Sequence, residues 1–188
     1  GMMETVLNVG LTNKTILGLI KQTNNKRFVY DSYRRLIMMF ADVVMEKSNN
    51  FNFNIRHLLE KKLNEYKLKN EIKNDMNLSS DDLYQMCNQF QKIVSQTFNI
   101  PFPNNHLEQL ESSIEAVLKS WNGKRAIEYR KIENIPNEWG TAVNVQAMVF
   151  GNMGKDSGTG VAFTRHPSTG ENHFFGEWLS NAQGEDVV

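Results

Sequence analysis

The texture of the sequence changes near residue 140, and that change limits what the chain can fold into. Before it, the chain is rich in Leu, Lys, Asn and Glu, with few glycines between Gly18 and Gly123. After it, glycines come quickly and valines alternate with polar residues. Apolar residues at helical spacing and apolar residues at strand spacing cannot serve the same element, so the pattern predicts a helical part followed by a β part, an α+β chain. With 188 residues, 40% of them apolar, there is material for a buried core.

Within the helical part, Asp31 to Met45 is amphipathic, with Tyr33, Leu36, Ile37, Phe40, Val43 and Val44 on one stripe. A second helix is predicted over Ile55 to Leu68, turning Leu58, Leu59, Leu63 and Tyr66 to one side. Ser79-Ser80-Asp81-Asp82 reads as a helix start, with a hydroxyl to cap free N–H groups and carboxylates facing the positive end of the dipole. The helix it opens places Leu83, Met86, Cys87, Phe90 and Val94 together. After Pro101 and Pro103, a helix from His106 to Trp121 is expected to turn Leu107, Leu110, Ile114, Val117 and Trp121 inward, and a shorter one carries Ile127 and Ile132. Asn49 to Asn54 reads as a surface loop.

In the β part, Ala142 to Phe150 alternates as a strand would. A glycine-rich loop, Gly151 to Gly158, is expected to join it to a second strand over Gly160 to Thr164 as an antiparallel pair. Pro167 to Gly170 reads as a turn and Phe174 to Leu179 as a third strand.

Lys plus Arg and Asp plus Glu balance at 21 each, which leaves no overall field to draw the chain onto nucleic acid or an anionic membrane. No apolar run approaches a membrane span, and the N-terminus lacks the pattern of a signal peptide. The one cysteine, Cys87, cannot form an internal disulfide, so the cytosol is the natural compartment. It lies on an apolar helix face and reads as a buried structural thiol. His57, His106, His166 and His173 are scattered, without metal-ligand spacing. Arg34, Arg35, Arg125, Arg130 and Lys131 read as solvated surface cations. The pair Asp81/Asp82 is explained by the helix start, whereas spacing leaves Glu185/Asp186 undecided. The glycines from Gly151 to Gly160 fit either a plain hairpin loop or a cradle of N–H groups for phosphate, and they match neither the P-loop nor the dinucleotide spacing.

Several stretches carry a resemblance. Gly1 to Leu11, Gly-Met-Met-Glu-Thr-Val-Leu-Asn-Val-Gly-Leu, resembles a Gly-Met-Met-Asp-Thr-Val-Leu-Asn-x-Gly-Leu segment of the pyruvate, phosphate dikinases. Arg27 to Arg35, Gly140 to Asn152, Ser157 to Arg165 and Asn181 to Val188 are similar to further runs of that family, in the family's order. Glu4 stands for the usual Asp, and His166 stands where Asn is common before Pro.

The resemblance implies an ATP-grasp-like domain interrupted by a helical subdomain. It assigns 1–11 to the end of a phosphate-facing segment, 12–100 to the helical insertion, 101–141 to a helical return and 142–188 to a β-rich part of the ATP-binding lobe. It implies transfer of the β-phosphoryl of ATP to a histidine on another domain, with phosphate as co-substrate and Mg²⁺ with the nucleotide, and onward transfer to pyruvate giving phosphoenolpyruvate. Gly1 and Thr5 fall on the phosphate-facing loop. Gln146 and Met148 fall on the strand leading to the adenine, and Gly158 and Gly160 on a flap over the triphosphate. The partners implied are ATP, phosphate and the phosphohistidine domain, within a homodimer. None of the four histidines matches the family's phosphorylated one. Both ends of the chain read as cut, and a piece of this extent is expected to be inactive alone. Phosphoenolpyruvate synthase and related dikinases are the alternative relatives, and a helical interaction module without a nucleotide role is the alternative of a different class.

Overall fold

A computed structural model describes residues 2–187, without the side chain of Glu185. The chain divides into two compact units, residues 1–146 and 147–188. Six α-helices lie in the first: α1 (Thr15–Thr23), α2 (Lys26–Met39), α3 (Ile55–Lys69), α4 (Ser80–Phe98), α5 (His106–Lys119) and α6 (Lys124–Glu133). The second holds an antiparallel pair, β1 (Gly158–Phe163) and β2 (Phe175–Ser180).

Helix α2 packs on α4, and α3 packs on both. The stripe expected for α2 is buried in full: Tyr33, Leu36, Ile37 and Phe40, then Val43 and Val44 where the helix widens into a π-helical turn over Phe40–Glu46. Leu83, Met86, Cys87, Phe90 and Val94 of α4 meet it, all at 2% exposure or less. Each such side chain contributes about 1.5–3 kcal/mol of burial. Helix α3 adds Ile55, Leu59 and Leu63, while Leu58 lies outside at 41% exposure. The start of α4 is a reciprocal cap: Ser79 Oγ accepts from Asp82 N at 3.2 Å, and Asp82 Oδ2 accepts from Ser79 N at 2.9 Å.

Helix ends are set by asparagine. Asn24, Asn50, Asn99 and Asn134 follow helical segments with φ between 50° and 57°, the left-handed conformation that glycine usually supplies. The glycine-poor composition of this half has a structural counterpart there.

Two of the predicted surface cations are buried. Arg34, 4% exposed, donates to Asp31 Oδ1 at 2.7 Å, and Arg35 reaches Asp31 Oδ2 at 3.2 Å. Burial pushes the Asp31 carboxyl up, and the two guanidinium groups outweigh it and hold the group below its ordinary value. Arg130, 3% exposed, lies 4.0 Å from the Trp121 ring centre and donates to Asn137 Oδ1 and to the Trp121 carbonyl. Arg125 and Lys131 are exposed, as expected. Cys87 is buried, its Sγ donating to Tyr30 O at 3.4 Å, and burial pushes the thiol up to about 12. An inert structural thiol follows.

Helices α5 and α6 correct the sequence reading. Helix α5 buries Gln109, Ser113 and Ala116, with Leu107 at 56% exposure and Leu110, Ile114 and Val117 half-buried; only Trp121 lies inside as predicted. The buried glutamine is fully bonded to backbone, and that polar demand rotates the helix away from its leucine stripe. Helix α6 buries Ala126 and Arg130 and leaves Ile132 at 74% exposure, because the cation over Trp121 takes the inward place.

The β unit also departs from expectation. Residues 142–150 form no strand among the described residues, and Val145 and Val149 stand 68% and 90% exposed. A strand needs a neighbour for its ladder, and alternation alone does not supply one. The glycine-rich loop therefore joins no hairpin. The observed pair is β1 with β2, connected through the turn predicted at Pro167 to Gly170, where Gly170 takes φ 74°. Gly158 and Gly160 belong to β1 itself, facing Ser180 and Trp178. A methyl group at Gly160 would lie 2.9 Å from Glu177 O and 3.1 Å from Trp178 Cβ, so close cross-strand approach requires glycine there. At Gly151 it would collide with Thr159 Oγ1 and Ala182 O.

Candidate functional site

Residues 2–11 precede α1 and form no helix or strand. Side chains of the helical unit fix their path. Ser120 Oγ accepts from Glu4 N at 3.1 Å, Met39 Sδ from Leu7 N at 3.2 Å, and Gln109 Oε1 from Gly10 N at 2.9 Å. Arg125 at the start of α6 donates to Glu4 Oε1 at 3.3 Å. The longer carboxylate arm at position 4 thus finds a cationic partner. Thr5, beside it, is exposed.

This segment borders a cleft of about 840 Å³, a size that accommodates a small-molecule ligand. Met2 and Glu4 form one wall, the π-helical turn and the loop after it (Val43 and Lys47 to Asn50) another, and the end of α5 with the start of α6 a third. Lys47, Lys119, Lys124 and Arg125 line it against the single carboxylate of Glu4. Lys47 is paired with Asp42 at 2.9 Å and Lys119 with Glu115 at 2.8 Å, so part of this positive charge is already balanced. Arg125 is paired with Glu4 at 3.3 Å as well, and Lys124 and the N-terminus of α6 complete the lining. Sequence reading singled out none of the three lysines, and it placed Arg125 on the solvated surface where it is found. Only proximity in the fold joins residues 4, 47, 119, 124 and 125.

The other predicted site residues are placed separately. Gly1 lies outside the described residues. Gln146 is exposed, and Met148 is 37% exposed on an irregular stretch. Gly158 and Gly160 share strand β1 and are held by its pairing. Of the carboxylate pairs, Asp82 caps α4 and also accepts from Tyr66 Oη at 2.6 Å. Its hydrogen bonds from Ser79 and Tyr66 hold the carboxyl below its ordinary value, and the same Asp82 bond helps push Tyr66 up to about 12. Asp186 Oδ2 accepts from Gln183 N at 2.8 Å, and the Glu185 side chain lies outside the described ones. Among the described residues no three His, Cys, Asp or Glu side chains come together where they could hold a metal ion. Nor is any helix among them long and apolar enough to cross a membrane.

Comparison with known proteins decides the family. The signature of the pyruvate phosphate dikinase AMP/ATP-binding domain matches residues 1–188, the whole chain. This chain belongs to that family. It is 48% identical over 189 residues to the pyruvate, phosphate dikinase of Clostridium symbiosum, 47% over 190 residues to that of Entamoeba histolytica, and 49% over 189 residues to the chloroplastic pyruvate, phosphate dikinase 1 of Arabidopsis thaliana. Each match covers all of this chain and 21%, 21% and 19% of the relative's length, respectively, so the chain spans about a fifth of these relatives. In family terms, the segment beside the cleft belongs to an AMP/ATP-binding domain.

Proposed function

We propose that this chain is the nucleotide-handling part of a pyruvate, phosphate dikinase, within an ATP-grasp-like domain whose helical subdomain is inserted after the phosphate-facing segment. The full-length protein takes the β-phosphoryl of ATP onto a histidine of a separate domain, with phosphate as co-substrate, and passes it to pyruvate to give phosphoenolpyruvate, AMP and diphosphate. The observation that carries this reading is the family match along the entire chain, with Met2 and Glu4 lining a cleft that also holds cations.

Each residue has a stated part. Gly1 lets backbone approach the phosphates, and the exposed Thr5 hydroxyl donates to them. Gln146 offers main-chain hydrogen bonds and Met148 an apolar wall to the purine, on a stretch that becomes a strand when the longer protein supplies a neighbour. Gly158 and Gly160 belong to a mobile flap over the triphosphate. Mg²⁺ neutralises the phosphates when bound, held by residues outside this chain. The protein works in the cytoplasm as a homodimer, and a chain of this extent has no activity alone.

A radiolabel-transfer assay tests the reading. In the full-length dikinase containing this chain, label from ATP labelled in the β-phosphate is expected on the protein only when inorganic phosphate is present. Transfer without a phosphate requirement points to a synthase-like relative. No transfer contradicts the dikinase reading and favours an interaction module, for which the exposed Leu107 and Leu118 of α5 would be the contact face.

A further inference from the structure

Helix α5 buries a glutamine where its sequence offers leucines. Gln109 has no exposed surface, and both ends of its amide are used. Oε1 accepts from Gly10 N at 2.9 Å, while Nε2 donates to Leu11 O at 3.0 Å and to Pro103 O at 2.8 Å. A buried amide is costly unless fully bonded, so the helix gives up apolar burial in order to hold backbone. Eleven residues on, about three helical turns along the same face, Ser120 Oγ accepts from Glu4 N at 3.1 Å and donates to Val117 O at 2.7 Å. Two side chains on one side of the α5 region thus grip both ends of the stretch from residue 4 to residue 10. Thr5 follows directly on the residue that Ser120 holds. Because the stretch has no strand or helix of its own, its path depends on such side chains.

We propose that Gln109 and Ser120 are positioning residues: they set the path of residues 4–10 and so aim the Thr5 hydroxyl at the nucleotide phosphates. The proposal rests on the reading of Thr5 as a phosphate contact. Neither residue reacts. Each acts through the backbone N–H it holds, and a hydroxyl displaced by an ångström loses much of its effect on a transferring group.

The test uses the full-length dikinase, single-turnover phosphorylation from ATP, and thermal melting of each variant. Ser120→Ala removes one acceptor with little change in packing. It is expected to lower the transfer rate about three- to tenfold, the worth of one hydrogen bond, while the melting temperature holds and Ser120→Thr restores the rate. Gln109→Met removes the far grip at similar volume and is expected to lower the rate in the same sense. The deciding variant is the double one. If Ser120 acts through Thr5, Ser120→Ala in a Thr5→Val background costs less than about twofold more, because coupled residues do not add. Full additivity, or a wild-type rate in Ser120→Ala, overturns the positioning proposal while leaving a rate loss in Thr5→Val as support for the phosphate contact. An unchanged rate in Thr5→Val overturns that contact and the positioning proposal with it.

Discussion

The two units of this chain spend their apolar residues differently. In residues 1–146, α2, α3 and α4 share a buried apolar core, with zero exposure at Leu36, Ile37, Ile55, Leu59, Leu83 and Phe90. In residues 147–188, Phe174 and Trp178 of the hairpin stand 75% and 73% exposed, Phe163 and Leu179 both 45%. The first unit holds a core of its own. The second is held by backbone pairing and by glycines that allow close approach, and an isolated two-stranded pair of that kind is marginal in water. The helical unit and the hairpin unit therefore differ in how far their own residues hold them together. The hairpin leaves its aromatics open to water, and residues 142–150 carry a strand's alternation without forming a strand among the described residues.

The largest expected effect sharpens this contrast. Phe90→Ala, at the centre of α4, should cost about 3–5 kcal/mol of stability by chemical denaturation followed through helical circular dichroism. Trp178→Ser on β2 should leave that same transition within about 0.5 kcal/mol. Equal losses would break the division into a self-sufficient and a dependent unit.

Gly151→Ala comes next. It forces a methyl against Thr159 Oγ1 and Ala182 O, and overpacking of this kind costs about 1–3 kcal/mol. Hydrogen exchange should show the amides of β1 and β2 losing protection while those of α2 and α4 keep theirs. Ser79→Ala removes the cap of α4 and should cost about 1 kcal/mol in the helical transition alone.

Acid supplies a further, smaller handle on the helical unit. The Asp31 carboxyl sits below its ordinary value of 3.8 in the folded state. A depressed folded value means that the stabilisation is complete above the unfolded value and is lost as pH falls through the folded one. Stability of the helical transition should therefore decline as pH drops below 3.8, and Asp31→Asn should flatten that decline. An unchanged acid slope in the variant would remove Asp31 from the account.

How much of this was legible follows from what each residue answers to. The α2 stripe and the Ser79–Asp82 cap are local patterns, so spacing alone located them. Cys87 was legible as a buried thiol for the same reason. The inward face of α5 was not, because Gln109 is chosen by the backbone of residues 10, 11 and 103, far away in sequence. Arg34 and Arg130 read as surface cations since nothing in spacing announces a buried Asp31 or a Trp121 ring. Residues 142–150 carry a strand's alternation, yet alternation specifies a face and not a partner. Family resemblance pointed to Thr5, which is not among the residues lining the cleft, whereas the cations of the cleft come from three separate parts of the chain and needed the fold to bring them together.

The most direct measurement is hydrogen exchange on the full-length protein that contains this chain, with and without ATP. The account predicts that ATP protects residues 4–10 and the stretch from Gln146 to Gly160, and leaves α3 and the middle of α4 unchanged. Absence of protection in those two stretches, or protection confined to the helices, would contradict a nucleotide-handling role for this chain.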